Sequence, residues 1–181
     1  MGGGIVMTEF EALLNEYAAT VVERAKSNLR IQRTVRGKKV KRVASGHLVN
    51  SLVYKLRIRY RKPTLDFTVD NEQAGQYADV IEWGRRPGAR MPPPSEIEKW
   101  IKLKPLKLRN RQGEFIKATE SNIKSAAYAI AKSIGEKGIE GIHYYRDAIN
   151  DTWEDYKAPL MAMYAKDIET RLLLNKRTRK K

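Results

Sequence analysis

The sequence predicts an α+β fold, in which a small antiparallel sheet with a central β-hairpin packs against an N-terminal helix, an Ala-rich helix and a long C-terminal helix. Two observations carry that expectation. Leu52, Tyr54, Leu56, Ile58 and Tyr60 alternate with Lys55, Arg57, Arg59 and Arg61, the period-2 pattern of a half-buried strand. Around this run lie three segments whose apolar residues recur at helical spacing. The 181 residues are enough to bury a core without covalent staples.

The first helix is expected from about residue 9 to residue 29. Thr8 and Glu11 form a capping box, in which hydroxyl and carboxylate satisfy orphan amides of the first turn. Phe10, Leu13, Leu14, Tyr17, Ala18, Val21, Ala25 and Leu29 then make one apolar stripe. Residues 30–46 show no sustained period and read as a long basic loop. After the Leu52–Tyr60 strand, Lys62-Pro63-Thr64 supplies a turn, and Leu65, Phe67 and Val69 alternate with Asp66, Thr68 and Asp70 in a return strand. The shared polar face of this hairpin sets Asp66 and Asp70 near the arginine row.

Gln76–Trp83 reads as a third, shorter strand. Gly84–Gly88 and Pro92–Pro94 then force a turning or extended backbone. Ser95 and Glu98 propose a second capping box, for a short helix carrying Ile97, Trp100 and Ile101 and ending near Lys104. A basic loop with Arg109, Arg111 and Gly113 follows. Thr119 caps a helix with Ile123, Ala126, Ala127, Ile130, Ala131 and Ile134 on one stripe, ended by Gly135 and Gly138. The last helix, about Tyr144–Leu174, aligns Tyr145, Ile149, Trp153, Tyr156, Leu160, Met163, Tyr164, Ile168 and Leu172, with Pro159 expected to kink it. The organisation is therefore a flexible N-terminus at 1–8, a single α+β domain at 9–174 and a basic tail at 175–181.

The net charge of +15 is unevenly placed. Residues 24–62 hold fourteen Lys or Arg and no acid, whereas 1–23 carry −4 and 63–84 carry −5. Alternating blocks suit a molecule that meets polyanion at some surfaces and copies of itself or protein partners at others. The absence of cysteine excludes disulfides, thiolate metal sites and cysteine nucleophiles, and fits synthesis in a reducing cytosol. No run approaches the roughly 18 to 20 apolar residues of a membrane helix, so a soluble chain without a membrane partner is expected. Met1-Gly2-Gly3-Gly4-Ile5-Val6 resembles a myristoylation signal, but Val6 stands where that signal needs Ser or Thr.

Catalytic patterns are weak. His47 and His143 are the only histidines, no carboxylate pair has a ligand spacing, and no glycine run matches a phosphate-binding loop. No cofactor, metal or catalytic residue is expected. Asp147, Asp151, Glu154 and Asp155 read as a solvated helix face. The contact surface for nucleic acid is sought instead in Arg57, Arg59 and Arg61, whose step of about 7 Å along one strand face matches phosphate spacing along one strand of nucleic acid. A solvated face paired with Asp66 and Asp70 is the plain alternative. Arg36, Lys38, Lys39, Lys41 and Arg42 extend the charge without aromatic interleaving, which suits loose phosphate contact and not base stacking.

Two stretches carry a family resemblance: Ser45-Gly46-His47-Leu48-Val49-Asn50-Ser51-Leu52, with a small residue, Gly46, Leu48 and Ser51 leading into a strand, and Tyr77-Ala78-Asp79-Val80-Ile81-Glu82-Trp83-Gly84-Arg85-Arg86-Pro87-Gly88. With Pro92–Pro94, Trp100 on its helix and the Ala-rich stretch Ala126–Gly138, the order from Ser45 to Ile142 resembles the tail-completion, neck and head-tail-joining proteins of tailed double-stranded DNA bacteriophages. The long basic loop and the extended last helix depart from that pattern. The resemblance implies a structural component of the virion, made in the host bacterial cytoplasm. It would assemble as a ring of copies of itself between portal, neck or tail proteins, around a channel that passes double-stranded DNA. A free, sequence-independent nucleic-acid-binding protein is the rival expectation, carried by the basic block alone.

Overall fold

The computed structural model describes residues 8–31, 33–35, 38–40, 46–59, 62–103, 106–110 and 112–178; at 33–35, 38–40, 171 and 174–178 the description covers the backbone alone. The elements in order are α1 (Glu9–Arg30), β1 (Arg33–Val35), β2 (Lys38–Val40), α2 (His47–Asn50), β3 (Leu52–Arg59), β4 (Lys62–Val69), α3 (Glu72–Trp83), β5 (Gly84–Arg85), α4 (Pro94–Leu103), α5 (Glu120–Lys137), β6 (Ile139–Glu140) and α6 (Tyr144–Thr178). Helices and small two-stranded sheets alternate in an α+β fold, and the chain groups into two compact units.

The first unit takes α1 as far as Asn28, Leu52–Thr68 and α6. Its opening is the expected capping box: the Thr8 amide donates to Glu11 Oε2 at 3.0 Å and the Glu11 amide to Thr8 Oγ1 at 3.2 Å. The helical stripe then buries Tyr17, Ala18, Val21, Val22 and Ala25; burial of a side chain such as Val21 is worth about 1.5–3 kcal/mol. Helices α1 and α6 run antiparallel, as a ladder of contacts shows. Glu9 pairs with Lys166 (2.7 Å), the Phe10 and Tyr164 rings lie 5.1 Å apart, Thr20 bonds Tyr156 (3.1 Å), Arg24 pairs with Asp151 (2.9 Å), and Asn28 Nδ2 donates to the Tyr144 carbonyl (3.2 Å). The β3–β4 hairpin is held to α6 by Tyr145, whose ring lies 5.4 Å from Phe67 and whose hydroxyl reaches the Val53 and Thr68 carbonyls, each at 3.1 Å. One side chain thus bridges both strands.

The second unit comprises Leu29–Ser51 and Val69–His143. Its apolar centre is Ile101 of α4 with Leu108, Ile123 and Ala127, bordered by Ile97, Leu106, Ile116, Ala126 and Ile130. The small residues of α5 let α4 approach closely, so the observed partner of the Ala-rich helix is α4. Thr119 caps α5 as expected, accepting from the Asn122 amide at 3.3 Å.

Several expectations are corrected. Gln76–Trp83 is part of helix α3 and not a strand. Asn71 caps that helix by accepting from the Ala74 amide at 2.9 Å, and Ala74, Ala78 and Glu82 bury at a spacing of four, a narrow helical stripe of mostly small side chains. Among the described residues the hairpin accordingly has no third strand, and β3 pairs with β4. The basic stretch expected as a structureless loop contains a tight antiparallel pair, with Arg33 opposite Val40 and Val35 opposite Lys38. Helix α4 begins at Pro94, which suits a first helical position that has no use for an amide donor, so Ser95 lies inside the first turn and is not its cap. Gly138 ends α5, but Gly135 is buried within it. Helix α6, with Pro159 inside it, runs to Thr178 and so past the expected end near Leu174. Its buried face is Tyr144, Ala148, Thr152 and Leu160, while Trp153, Ile168 and Leu172 of the expected single stripe are exposed.

Candidate functional site

The basic row on the hairpin divides by its neighbours. Arg57 is exposed and pairs with Asp66 of β4 at 2.8 Å, the cross-strand compensation expected from a shared polar face. Lys55, Arg59 and Lys62 are exposed, and no acid among the described residues pairs with Arg59. Arg61 lies outside the described residues. So do Arg36, Lys41 and Arg42, while Lys38 and Lys39 are described as backbone of β2 only. The hairpin also exposes Ile58, so the end of β3 shows solvent an apolar residue beside its cations.

Gly46–Ser51 and Tyr77–Gly88 of the two motif stretches belong to the second unit, Leu52 to the first, and Ser45 lies outside the described residues. Gly46 precedes the one-turn helix α2 with φ of +82°, which glycine adopts without steric cost. Leu48 and Ser51 are buried. The Ser51 hydroxyl donates to the His47 carbonyl at 2.5 Å and its own carbonyl accepts from the Asp70 amide at 3.0 Å. Ser51 thereby closes the turn into β3. Tyr77 of α3 shares a hydrogen bond with the Leu48 backbone; burial pushes its hydroxyl pKa up, and that bond draws it back. The first motif is in this way joined to the second.

Beyond α3 the motif residues build a crossing of two backbone segments. Gly84 caps α3 and starts β5, which pairs antiparallel with β6, Gly84 opposite Glu140 and Arg85 opposite Ile139. The Ile142 and His143 amides donate to the Ile81 and Glu82 carbonyls at 2.9 and 3.0 Å, and the Gly88 amide to the Gly135 carbonyl at 2.8 Å. A Cβ at Gly84 would strike the Ile139 carbonyl, and one at Gly138 would strike the backbone of Arg85, Arg86 and Pro87. The segments cross where only glycine fits. Glu82 is buried at this crossing, Arg85 Nη2 donates to the Arg90 carbonyl, and Arg86 and Pro87 are exposed. Trp83, 63% exposed, stands edge-on to His143 with ring centroids 5.8 Å apart. Trp100 on α4 is at the margin of exposure.

The cluster holds backbone segments in register and presents Trp83, Arg86 and Pro87 outward. Among the described residues no group of three or more His, Asp or Glu is placed to hold a metal ion, and no helix is long and apolar enough to cross a membrane. Sequence reasoning missed the β5–β6 pairing and the exposed Trp83. The positive-φ glycines flanking both segments were the available signal. Comparisons with family models, curated proteins and solved structures match none to this chain.

Proposed function

We propose that this chain is a structural subunit of a tailed-phage particle, of the tail-completion or head-tail-joining type, acting mechanically and not as an enzyme. The observation that carries the reading is the ordered run of motifs from Ser45 to Ile142. Its support from the fold is that Gly46, Leu48 and Ser51 shape the turn into β3, which Tyr77 meets, while Glu82, Gly84 and Arg85 serve the β5–β6 crossing. Residues spent on a junction, together with exposed aromatic and basic side chains, suit a subunit that packs on copies of itself and on neighbouring particle proteins. In this reading the exposed cations of the hairpin face passing DNA, where sequence-independent phosphate contact is sufficient. Native mass spectrometry of the chain and reconstruction of particles carrying it test the proposal. Ring-shaped oligomers and density at the neck or tail are expected; a strict monomer absent from virions overturns it.

A second reading, a free nucleic-acid-binding protein, is favoured by one feature, the exposed Lys55, Arg59 and Lys62. It predicts duplex binding that weakens steeply with salt and is lost on replacing Arg57, Arg59 and Arg61 by Ala. Asp66→Asn would then release Arg57 from its 2.8 Å partner and steepen the salt slope by about one unit. Absence of measurable duplex affinity near physiological salt removes this reading.

A further inference from the structure

Between α4 and α5 the chain doubles back in a tight antiparallel turn, across which Arg109 and Phe115 are partners. The Asn110 amide donates to the Glu114 carbonyl at 2.9 Å and the Ile116 amide to the Leu108 carbonyl at 3.0 Å. Bonds in those places leave Arg109 and Phe115 as a non-hydrogen-bonded pair, the kind whose side chains stand closest. Alternation along the two arms then sorts the side chains between two faces. Leu108 is buried in the α4–α5 core, and Leu106 and Ile116 pack against it. Lys107, Arg109, Phe115 and Lys117 are exposed.

The guanidinium carbon of Arg109 sits over the Phe115 ring, 3.9 Å from its centroid, and Lys107 Nζ lies 5.7 Å from the same centroid. Arg109 Nη1 also donates to the Gly113 carbonyl at 2.6 Å, which fixes the cation on the ring. Counted back along the same register, Lys117 stands opposite Lys107. Like charges directly across a strand pair cost stability, and no acid among the described residues pairs with either lysine. The acid of the turn, Glu114, is bound by Asn110 Nδ2 at 2.8 Å. Phe115 is nevertheless 59% exposed. The outer face thus sets three cations around an open aromatic ring, on a backing that the core holds in place.

An anion between Lys107 and Lys117 relieves their repulsion, and a flat group on Arg109 and Phe115 covers the ring. Lys107 and Arg109 are two residues apart, about 7 Å along the arm, which is the phosphate spacing along one strand of nucleic acid. The bases of a duplex are already stacked on their neighbours, and an acidic peptide answers the cations but leaves the ring bare. An unpaired base flanked by its phosphates answers both. We propose that this face binds single-stranded nucleic acid, one base stacking on the Arg109–Phe115 platform and the adjoining phosphates meeting Lys107 and Lys117. The contact goes beyond the assembly reading. It belongs to the second unit and takes hold of a base, where the hairpin row meets phosphate alone.

Fluorescence anisotropy on the full chain tests it, with a labelled oligothymidine of about 12 nucleotides, the same backbone made abasic throughout, and a duplex of equal length. Oligothymidine should bind more tightly than the abasic strand. Phe115→Ala, with an unchanged far-UV spectrum, should weaken oligothymidine binding about 5- to 150-fold and abasic binding by less than about twofold. Lys107→Gln and Lys117→Gln should each flatten the salt slope by about 0.7 for both single strands. A strand carrying 5-iodouracil should photocross-link to Phe115. Oligothymidine affinity in Phe115→Ala within about twofold of the wild type overturns the proposal and leaves the ring as a brace of the turn. Equal dependence of duplex binding on Phe115 overturns it in favour of duplex DNA, and oligoglutamate competition that Phe115→Ala abolishes does so in favour of an acidic peptide. Replacing Arg57, Arg59 and Arg61 by Ala should leave the preference for bases intact, so failure of the hairpin reading is a separate result. Ring-shaped oligomers without any Phe115-dependent strand binding remove this face and leave the virion reading standing.

Discussion

Replacing Gly138 by Ala tests the backbone crossing that unites the motif residues. Gly138 has φ of +68°, and an added Cβ would meet backbone atoms of Arg85, Arg86 and Pro87, none of which is the movable end of a side chain. Holding a non-glycine residue in that conformation costs about 1–3 kcal/mol, and forcing the two segments apart adds about 1–3 kcal/mol as overpacking. The expected loss is therefore about 2–6 kcal/mol, or about 5–20 °C in Tm for a chain of this size. Gly75, inside α3 with nothing within 4 Å of an added Cβ, is the matched control. Ala there should stabilise by about 0.5–1 kcal/mol, because it restricts the unfolded chain and favours the helix. Thermal and urea unfolding followed by far-UV circular dichroism measure both. If Gly138→Ala unfolds within 1 kcal/mol of the wild type while Gly75→Ala shows its gain, the close approach of β5 and β6 is wrong.

Three further outcomes are expected. Ile101→Ala, which empties the centre of the α4–α5 core, should cost about 2–5 kcal/mol in urea unfolding, whereas Leu103→Ala at a 65% exposed position should stay within about 0.5 kcal/mol. Tyr145→Phe removes the hydroxyl that bridges the Val53 and Thr68 carbonyls and should cost about 0.5–1.5 kcal/mol, seen as faster amide exchange in the hairpin. The Lys166 ammonium, by hydrogen bond and charge, holds the Glu9 carboxyl below the ordinary glutamate range. The sign follows: this small contribution is present above the unfolded pKa and is lost as pH falls through the depressed folded value. Carbon-detected NMR titration should show the depressed Glu9 value and its return to the ordinary range in Lys166→Met.

The elements legible from sequence were those specified by near neighbours. Thr8 and Glu11 cap α1 because both partners lie within one turn. The β3–β4 hairpin follows from alternation in its two arms, although Lys62-Pro63-Thr64, expected as its turn, is the start of β4, and the Arg57–Asp66 pair follows from the face the two strands share. The helix at Glu72–Trp83 was misread because its β-branched and aromatic residues outweighed the quieter signal of an Asn71 cap and small residues at 74 and 78. In the hairpin row, what a cation can do depends on whether an acid lies across from it, which strand pairing settles for Arg57.

Local sequence by itself determined helices α1, α4, α5 and α6, the central hairpin, the charge blocks and the order of the motifs, since each depends on periodicity or on residues a few positions apart. Only the tertiary structure decided that Tyr77 meets Leu48, that Gly84 and Gly138 lie where two backbones cross, and that Trp153, Ile168 and Leu172 of the expected α6 stripe are exposed. The physical reason is the same in all three cases. Burial and close approach are set by which segments meet across long separations in the chain, and a helical period repeats identically whether its stripe faces a neighbour or water.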